Sequence, residues 1–311
     1  MQGIVVRNTG SWYIVQTTDG RRIECKVKGN FRLRGIRSTN PVAVGDCVTV
    51  RQEAGAAAAF ITEIAERRNY IVRKASNLSK QSHILAANID LTVLLVTTKR
   101  PETTTTFIDR FLASAEAYRV PAVVAFNKID ELQNDEKERL RYLQTVYEAA
   151  RYPCHFISAL SGEGVPALLE EMQGKTTLLA GHSGVGKSTL LNRLVPEAHA
   201  KTAEISTAHQ SGMHTTTFSE LFALPGGGGV IDIPGIKGFG TFDMEQEEIS
   251  HYFRDIFALS GDCRFHNCTH THEPGCAVLD ALENHRLAPT RYASYLSMLD
   301  DENDGKYRAA F

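Results

Sequence analysis

The 311-residue sequence predicts a multidomain protein: an N-terminal OB-type β-barrel, a circularly permuted P-loop α/β nucleotide-binding domain, and a C-terminal α-helical zinc-binding domain. Three observations predict this architecture. Five short strand-like runs with polar loops fill the first 70 residues. A phosphate-loop motif at mid-chain is preceded, not followed, by a guanine-type box. Near the C-terminus, three cysteines and three histidines crowd into residues 263–276. The boundaries are placed at 1–70, 71–243 and 244–311.

The barrel is read from strand-like runs at 3–7, 13–17, 22–27, 47–50 and 60–64, with Asp19-Gly20 as a hairpin turn. Short strands with polar loops suit an OB-type barrel, which binds nucleic acid on one face. Charge agrees. Residues 1–80 hold 14 Lys and Arg against 6 Asp and Glu, and the remainder holds 20 against 30, so a basic module joins an acidic body. Arg21, Arg32, Arg34 and Arg37 are candidate nucleic-acid contacts. Few aromatic residues interleave them, so base stacking is not indicated.

In the central domain, residues 91–96 and 121–126 read as apolar strands. Residues 107–118 have helical spacing with Phe107, Phe111, Leu112 and Ala115 on one face, and 135–150 form a charged helix. Such alternation implies a parallel sheet. The strand ending at Phe126 leads into Asn127-Lys128-Ile129-Asp130, beyond the carboxyl end of a strand, where open α/β sheets bind ligands. The Asp130 carboxylate can accept two N–H donors from guanine, a pair that adenine lacks, so the mismatch discriminates. The Lys128 stem would lie along the base. Ser158-Ala159 closes another strand-like run and stands where a backbone contact to the guanine oxygen is expected.

Gly181-His182-Ser183-Gly184-Val185-Gly186-Lys187-Ser188 fits G-x-x-x-x-G-K-[ST] at every fixed position. It follows the strand-like run 176–180 and opens the helical run Ser188-Thr189-Leu190-Leu191-Asn192-Arg193-Leu194. Its glycines let successive N–H groups face phosphate oxygens, and the helix N-terminus adds a positive field. Lys187 would reach the β- and γ-phosphates, and the Ser188 hydroxyl would bind Mg²⁺. Asp232, ending a strand at Val230-Ile231, would hold Mg²⁺ through water, and the Gly235 N–H would meet the γ-phosphate. The threonine-rich stretch Gly212-Met213-His214-Thr215-Thr216-Thr217 stands where a first switch belongs. One of its threonines, taken as Thr216, would close on Mg²⁺. Ile236 follows Gly235 where Ras-like enzymes carry a water-orienting glutamine, and isoleucine cannot orient water. His214 is the nearest polar replacement. Gly226-Gly227-Gly228-Gly229 reads as a hairpin tip, because no helix follows it.

The third domain is read from helical runs at 247–259, 277–284 and 291–299. Between the first two lies a metal-ligand cluster: Cys263, Cys268 and Cys276, with His266, His270 or His272 as the fourth ligand of a tetrahedral zinc. No position is left open for catalysis, so the metal would be structural. Asp300-Asp301-Glu302-Asn303-Asp304 reads as a solvated tail. The remaining cysteines, Cys25, Cys47 and Cys154, read as buried reduced thiols, which points to the cytoplasm. No apolar run approaches a membrane span, and the N-terminus is no signal peptide. A monomer is expected.

The rotated motif order, the phosphate loop at 181–188, the switch His214-Thr215-Thr216-Thr217 and the spacing C-x4-C-x-H-x5-C together resemble the bacterial small-ribosomal-subunit-dependent GTPases called RsgA or YjeQ. The resemblance spans essentially the whole chain. It implies a circularly permuted GTPase domain, Mg²⁺ bound with GTP, and one structural zinc on Cys263, Cys268, His270 and Cys276. The family also carries a hydrophobic residue where the glutamine would be, and its switch histidine, matched by His214, is implicated in hydrolysis. Met213 stands where Arg or Lys is usual, and Ile233 where Thr is usual. The resemblance implies that GTP is hydrolysed to GDP and phosphate, with Lys187 and His214 as catalytic residues, during late maturation of the small subunit. The subunit and its rRNA would be the stimulating partner. A different class of function is a GTP-gated nucleic-acid-binding adaptor that hydrolyses little and whose target is not the ribosome. Intact Lys187, Ser188 and Asp232 favour the enzyme. Permutation also places the second switch a few residues before the zinc domain, so movement of 232–239 would pull on that domain.

Overall fold

The computed structural model describes residues 1–10, 12–27, 41–52, 58–74, 82–198, 219–233 and 244–304. The N-terminal strands are β1 (Gln2–Asn8), β2 (Tyr13–Thr17), β3 (Arg22–Val27), β4 (Cys47–Arg51) and β5 (Ala59–Ile64). β1 pairs antiparallel with β2 and β4, β2 with β3, and β4 with β5, while β3 runs parallel to β5. The ring is thereby closed and leaves no edge inside the barrel. Its interior holds Val5, Tyr13, Val15, Cys25, Val48, Val50 and Ile61. On β2 the alternation is strict, with Tyr13, Val15 and Thr17 inward. Gly20 takes φ +83° in the expected hairpin turn and its N–H donates to Thr17 O at 2.9 Å. One cysteine departs from expectation: Cys47, at the start of β4, is exposed, because its position in the alternation points outward. Cys25 is buried and Cys154 half-buried.

The exit from the barrel is pinned by a buried ion pair. Arg67 grips Asp46 with Nε and Nη2, each at 2.6 Å, and Nη2 also donates to Pro41 O. Next comes a hairpin that the sequence reading passed over, β6 (Tyr70–Lys74) and β7 (Ser82–Ala87). Its apolar residues Ile71 and Ala86 join the core of the next domain.

That domain carries β8 (Leu91–Val96), α1 (Thr105–Ala117), β9 (Ala122–Phe126), α2 (Asn134–Ala149), β10 (Cys154–Phe156), α3 (Val165–Met172), β11 (Thr176–Ala180), α4 (Lys187–Leu194), β12 (Glu220–Ala223) and β13 (Gly229–Asp232). The sheet order is β10-β9-β8-β11-β13-β12; all pairs are parallel except β12 with β13, which form the hairpin around the glycine tip. β8 is buried along its whole length because helices cover both faces. Leu94, Val96, Val124 and Phe126 face α1 and α2, while Val93, Leu95, Val123 and Ala125 face α3 and α4. β1 of the barrel also pairs with β12, Arg7 opposite Glu220.

The C-terminal part contains a 3₁₀ segment (Gln246–Tyr252), α5 (Arg254–Ser260), α6 (Ala277–Glu283) and α7 (Pro289–Asp304). The single helix expected over 247–259 is broken. Phe253 leaves helical geometry at φ −104°, ψ 96° so that its fully buried ring can meet Tyr295, with centroids 5.7 Å apart. The acidic run 300–304 continues α7. The domain is clamped to α1 by a buried triad. Arg291 Nη1 donates to Asp109 Oδ1 at 2.8 Å, and Nε and Nη2 donate to Asp255 at 2.9 and 2.7 Å. Arg110 adds bonds to Ser297 O and Oγ. Among the described residues no helix is long and apolar enough to cross a membrane.

Candidate nucleotide site and metal centre

The phosphate loop joins the end of β11 to α4, as its sequence requires. Gly181, Gly184 and Gly186 take φ of +138°, +84° and +98°, a region where a side chain is strained. At Gly181 a Cβ would also strike Leu95 O, and at Gly186 the Asn127 amide. The Lys187 ammonium donates to Gly181 O at 2.5 Å and His182 O at 2.7 Å, so it spans the loop. Burial lowers its pKa, opposed by Asp232; burial likewise raises that of Asp232, opposed by Lys187. The two groups therefore sense each other across the loop. Ser188 and Thr189 are exposed in the first turn of α4, and Ser183 is exposed in the loop. Thr216, His214, Gly235 and Ile236, expected at the nucleotide, lie outside the described residues, as do Met213 and the arginines at 32, 34 and 37. Arg21 is described, and its guanidinium is held by Asp19.

The guanine box is brought against the loop. Asn127 is buried; its Nδ2 donates to Val185 O at 2.7 Å, and its Oδ1 accepts the Ala159 N–H at 2.8 Å. One side chain thus ties three motifs that lie far apart in sequence. Lys128 sits at φ +66° and its Nζ donates to Arg100 O at 2.5 Å. Asp130 is exposed in a 3₁₀ turn (Ile129–Glu131). It borders a cavity of about 360 Å³ with Ile129, Leu132, Leu140 and Phe156. Ser158 Oγ accepts the Ser161 N–H at 3.0 Å and shapes the turn after β10.

Two supports were not foreseen from the sequence. His182 Nε2 lies 2.7 Å from Thr103 Oγ1, its ring packs edge-on against Phe107 of α1 at 5.4 Å, and burial lowers its pKa. Thr104 caps α1, its hydroxyl accepting the Phe107 N–H. The threonine run 103–106 signals such a cap, but nothing local tells that it faces the phosphate loop. The other support is Arg193 of α4, which donates to Ala159 O.

In the C-terminal domain, the ligand atoms of Cys263, Cys268, His270 and Cys276 all lie within 4.8 Å of one another. His270 Nδ1 is 3.6 Å from Cys263 Sγ and 3.5 Å from Cys276 Sγ, and those sulfurs are 3.9 Å apart. A tetrahedron with bonds of ~2.3 Å to sulfur and ~2.0 Å to nitrogen has edges of roughly 3.5–3.8 Å, so the four residues fit a metal of that geometry. His266 and His272 are exposed, and His272 Nδ1 instead meets Thr271 Oγ1 at 2.8 Å. Tyr292 and Tyr295 hydroxyls donate to His270 O and Thr269 O, anchoring the ligand loop to α7. Glu273 accepts the amides of Thr269, Thr271 and His272.

A closed five-stranded barrel, a P-loop sheet whose guanine box precedes its phosphate loop, and a Cys3His cluster define a circularly permuted nucleotide-hydrolase architecture. The model of the RsgA GTPase matches residues 64–242 and that of the RsgA N-terminal domain residues 2–60. The chain is 63% identical, over all of both chains, to the Small ribosomal subunit biogenesis GTPase RsgA of Bacteroides fragilis. It is 58% identical to the protein of the same name from Porphyromonas gingivalis, again over the full length of both. Its fold matches the crystal structure of YjeQ from Thermotoga maritima at a TM-score of 0.77 and 34% identity, covering 97% of this chain and 98% of that one. YloQ, described as a circularly permuted GTPase, matches at 0.76 and 29% identity, over 99% and 96%. The chain belongs to the RsgA GTPase family and is a GTP-hydrolysing enzyme.

Proposed function

We infer that this enzyme binds GTP between Asn127–Asp130, the turn at 158–162 and the phosphate loop, and hydrolyses it during late maturation of the small ribosomal subunit, in the cytoplasm and as a monomer. The observation that carries the nucleotide reading is the pair of hydrogen bonds made by the Asn127 side chain, which holds the base-reading and phosphate-reading segments in one frame. Relatives over 50% identical along the full length, named for small-subunit biogenesis, supply the cellular setting. The domains divide at 1–70, 71–243 and 244–311.

In this reading the Asp130 carboxylate takes two guanine donors, and the Lys128 stem lies along the base. Backbone amides of 181–186 and Lys187 cradle the phosphates. Ser188, Thr216 and, through water, Asp232 would hold Mg²⁺, which neutralises phosphate charge, and the Gly235 N–H meets the γ-phosphate. Cys263, Cys268, His270 and Cys276 would hold one zinc that stabilises the C-terminal fold. Ile236 cannot orient water, so His214 supplies that function on the small subunit. Positioning of this kind is where phosphoryl transfer gains most of its rate.

The test is steady-state GTP turnover with and without purified mature small subunits. Turnover should rise with subunits, and subunit binding should weaken steeply with salt, as phosphate contacts require. His214→Ala should keep GTP affinity and lose most of the stimulation. Unchanged turnover at low salt, or a fully stimulated His214→Ala, refutes the mechanism and favours an adaptor.

A further inference from the structure

The turn at 158–162 is held from two sides. On one side Asn127 Oδ1 accepts the Ala159 N–H at 2.8 Å. On the other, Arg193, in the last turn of the helix that the phosphate loop opens, donates Nε to Ala159 O at 2.7 Å and Nη2 to Leu160 O. The turn is shaped to admit this guanidinium. Gly162 sits at φ +96°, and a Cβ there would stand 2.6 Å from Arg193 Nη1. The Gly162 N–H closes the turn on Ser158 O at 2.8 Å.

Two consequences follow from counting donors. The Ala159 N–H, the expected partner of the guanine oxygen, is already taken by Asn127. The next amide, that of Leu160, has no hydrogen-bond partner among the described residues, and Leu160 is 72% exposed at the tip of the turn. That N–H belongs to the same peptide unit as Ala159 O. A cation on the carbonyl of a peptide unit polarises it and strengthens its N–H as a donor.

We propose that Arg193 is a positioning residue for base specificity: it fixes and polarises the Ala159–Leu160 peptide so that the Leu160 N–H reads the 6-oxo group of the purine. This rests on reading Asn127–Asp130 as the guanine box, since the same base must lie against both. The arginine thereby links the phosphate-bearing helix to the base-reading turn, a task separate from that of Asp130, which addresses the opposite donors of the ring.

The experiment measures dissociation constants for GDP, inosine diphosphate, 6-thioguanosine diphosphate and ADP, with Mg²⁺, on the full-length parent, Arg193→Ala and Arg193→Lys. Sulfur at position 6 weakens that acceptor while keeping both donors that face Asp130, whereas inosine removes only the 2-amino donor. The parent should prefer GDP to the thio analogue by roughly three- to tenfold, the scale of one neutral hydrogen bond. Arg193→Ala should bring that ratio close to one while keeping the GDP-to-inosine ratio of the parent, and Arg193→Lys should fall between. A loosened fold would weaken every nucleotide together and leave both ratios untouched. That result, an unchanged thio ratio in Arg193→Ala, or no thio discrimination in the parent, overturns the proposal. A parent that binds ADP as tightly as GDP overturns the guanine-box reading instead.

Discussion

Replacing Arg291 by Met should open the C-terminal domain from the α1 surface. Arg291 is 1% exposed in its side chain, Asp109 0% and Asp255 14%. Methionine fills much of the volume but strands two carboxylates that have lost three charge-assisted hydrogen bonds. Removing one partner of a buried ion pair costs about 3–5 kcal/mol. At 1.4 kcal/mol per factor of ten, the opening equilibrium should rise by roughly 10²-fold to a few thousandfold. Tryptophan fluorescence would miss this, because the sole tryptophan, Trp12, lies by the barrel strands. Native-state hydrogen exchange of the amides of α7 reads it directly. The pH dependence has a definite sign. Burial raises the pKa of Asp109, opposed by Arg291, so losing the arginine raises it further. A carboxyl whose folded pKa is raised favours folding below its unfolded pKa and loses that contribution as pH rises through the folded value. The penalty in Arg291→Met should therefore be smaller at pH 5.5 than at pH 8, after correction for intrinsic exchange. Protection in α7 that falls less than about threefold, or a penalty that grows toward acid, would show that the triad does not carry the interface.

Asp130→Asn should weaken GTP binding and improve xanthosine triphosphate binding, since the amide no longer accepts two donors; equilibrium binding of both nucleotides checks it, and an unchanged preference would remove Asp130 from the base contact. Protein purified without chelator should hold one zinc per chain by elemental analysis. His270→Ala should lose the metal and the thermal stability of the C-terminal domain, and His272→Ala should keep both; the reverse pattern would exchange their roles.

Local chemistry was the legible part. The phosphate loop, the guanine box and the three cysteines announce themselves because their function depends on spacing along a few residues, and the strands and helices around them follow hydrophobic period. Ligand chemistry alone left His266, His270 and His272 open; the family spacing selects His270, and the geometry agrees, since only that histidine is buried among the thiols. What the sequence hid were ties between distant positions. Asp109 and Arg291 carry no shared pattern, and neither do His182 and Thr103 or Arg193 and Ala159, because their partnership exists only after the sheet has assembled. The hairpin β6–β7 was legible in part, since Tyr70-Ile71-Val72 is a β-favouring run. The break at Phe253 was not, because tertiary burial of one ring overrides helical propensity there.

The seam between β1 and β12, where Arg7 faces Glu220 and the Asn8 N–H donates to Ser219 O, bears on how the chain is made. Synthesis proceeds from the N-terminus, and domains generally fold as they emerge. The barrel can close early, since its five strands are among the first residues, and β8, β9 and β10 can pair before the phosphate loop exists. The outer strand that receives β1 arrives only after the phosphate loop and its helix have been translated. A nascent chain therefore exposes the outward hydrogen-bonding groups at Arg7 and Asn8 until the nucleotide domain is nearly finished. Docking of this edge of the barrel waits for β12, whereas the barrel's other seam, in which the Ala87 N–H donates to Val44 O at 2.9 Å and Asn88 Nδ2 donates to Gly45 O at 3.0 Å, can form soon after β7 is made.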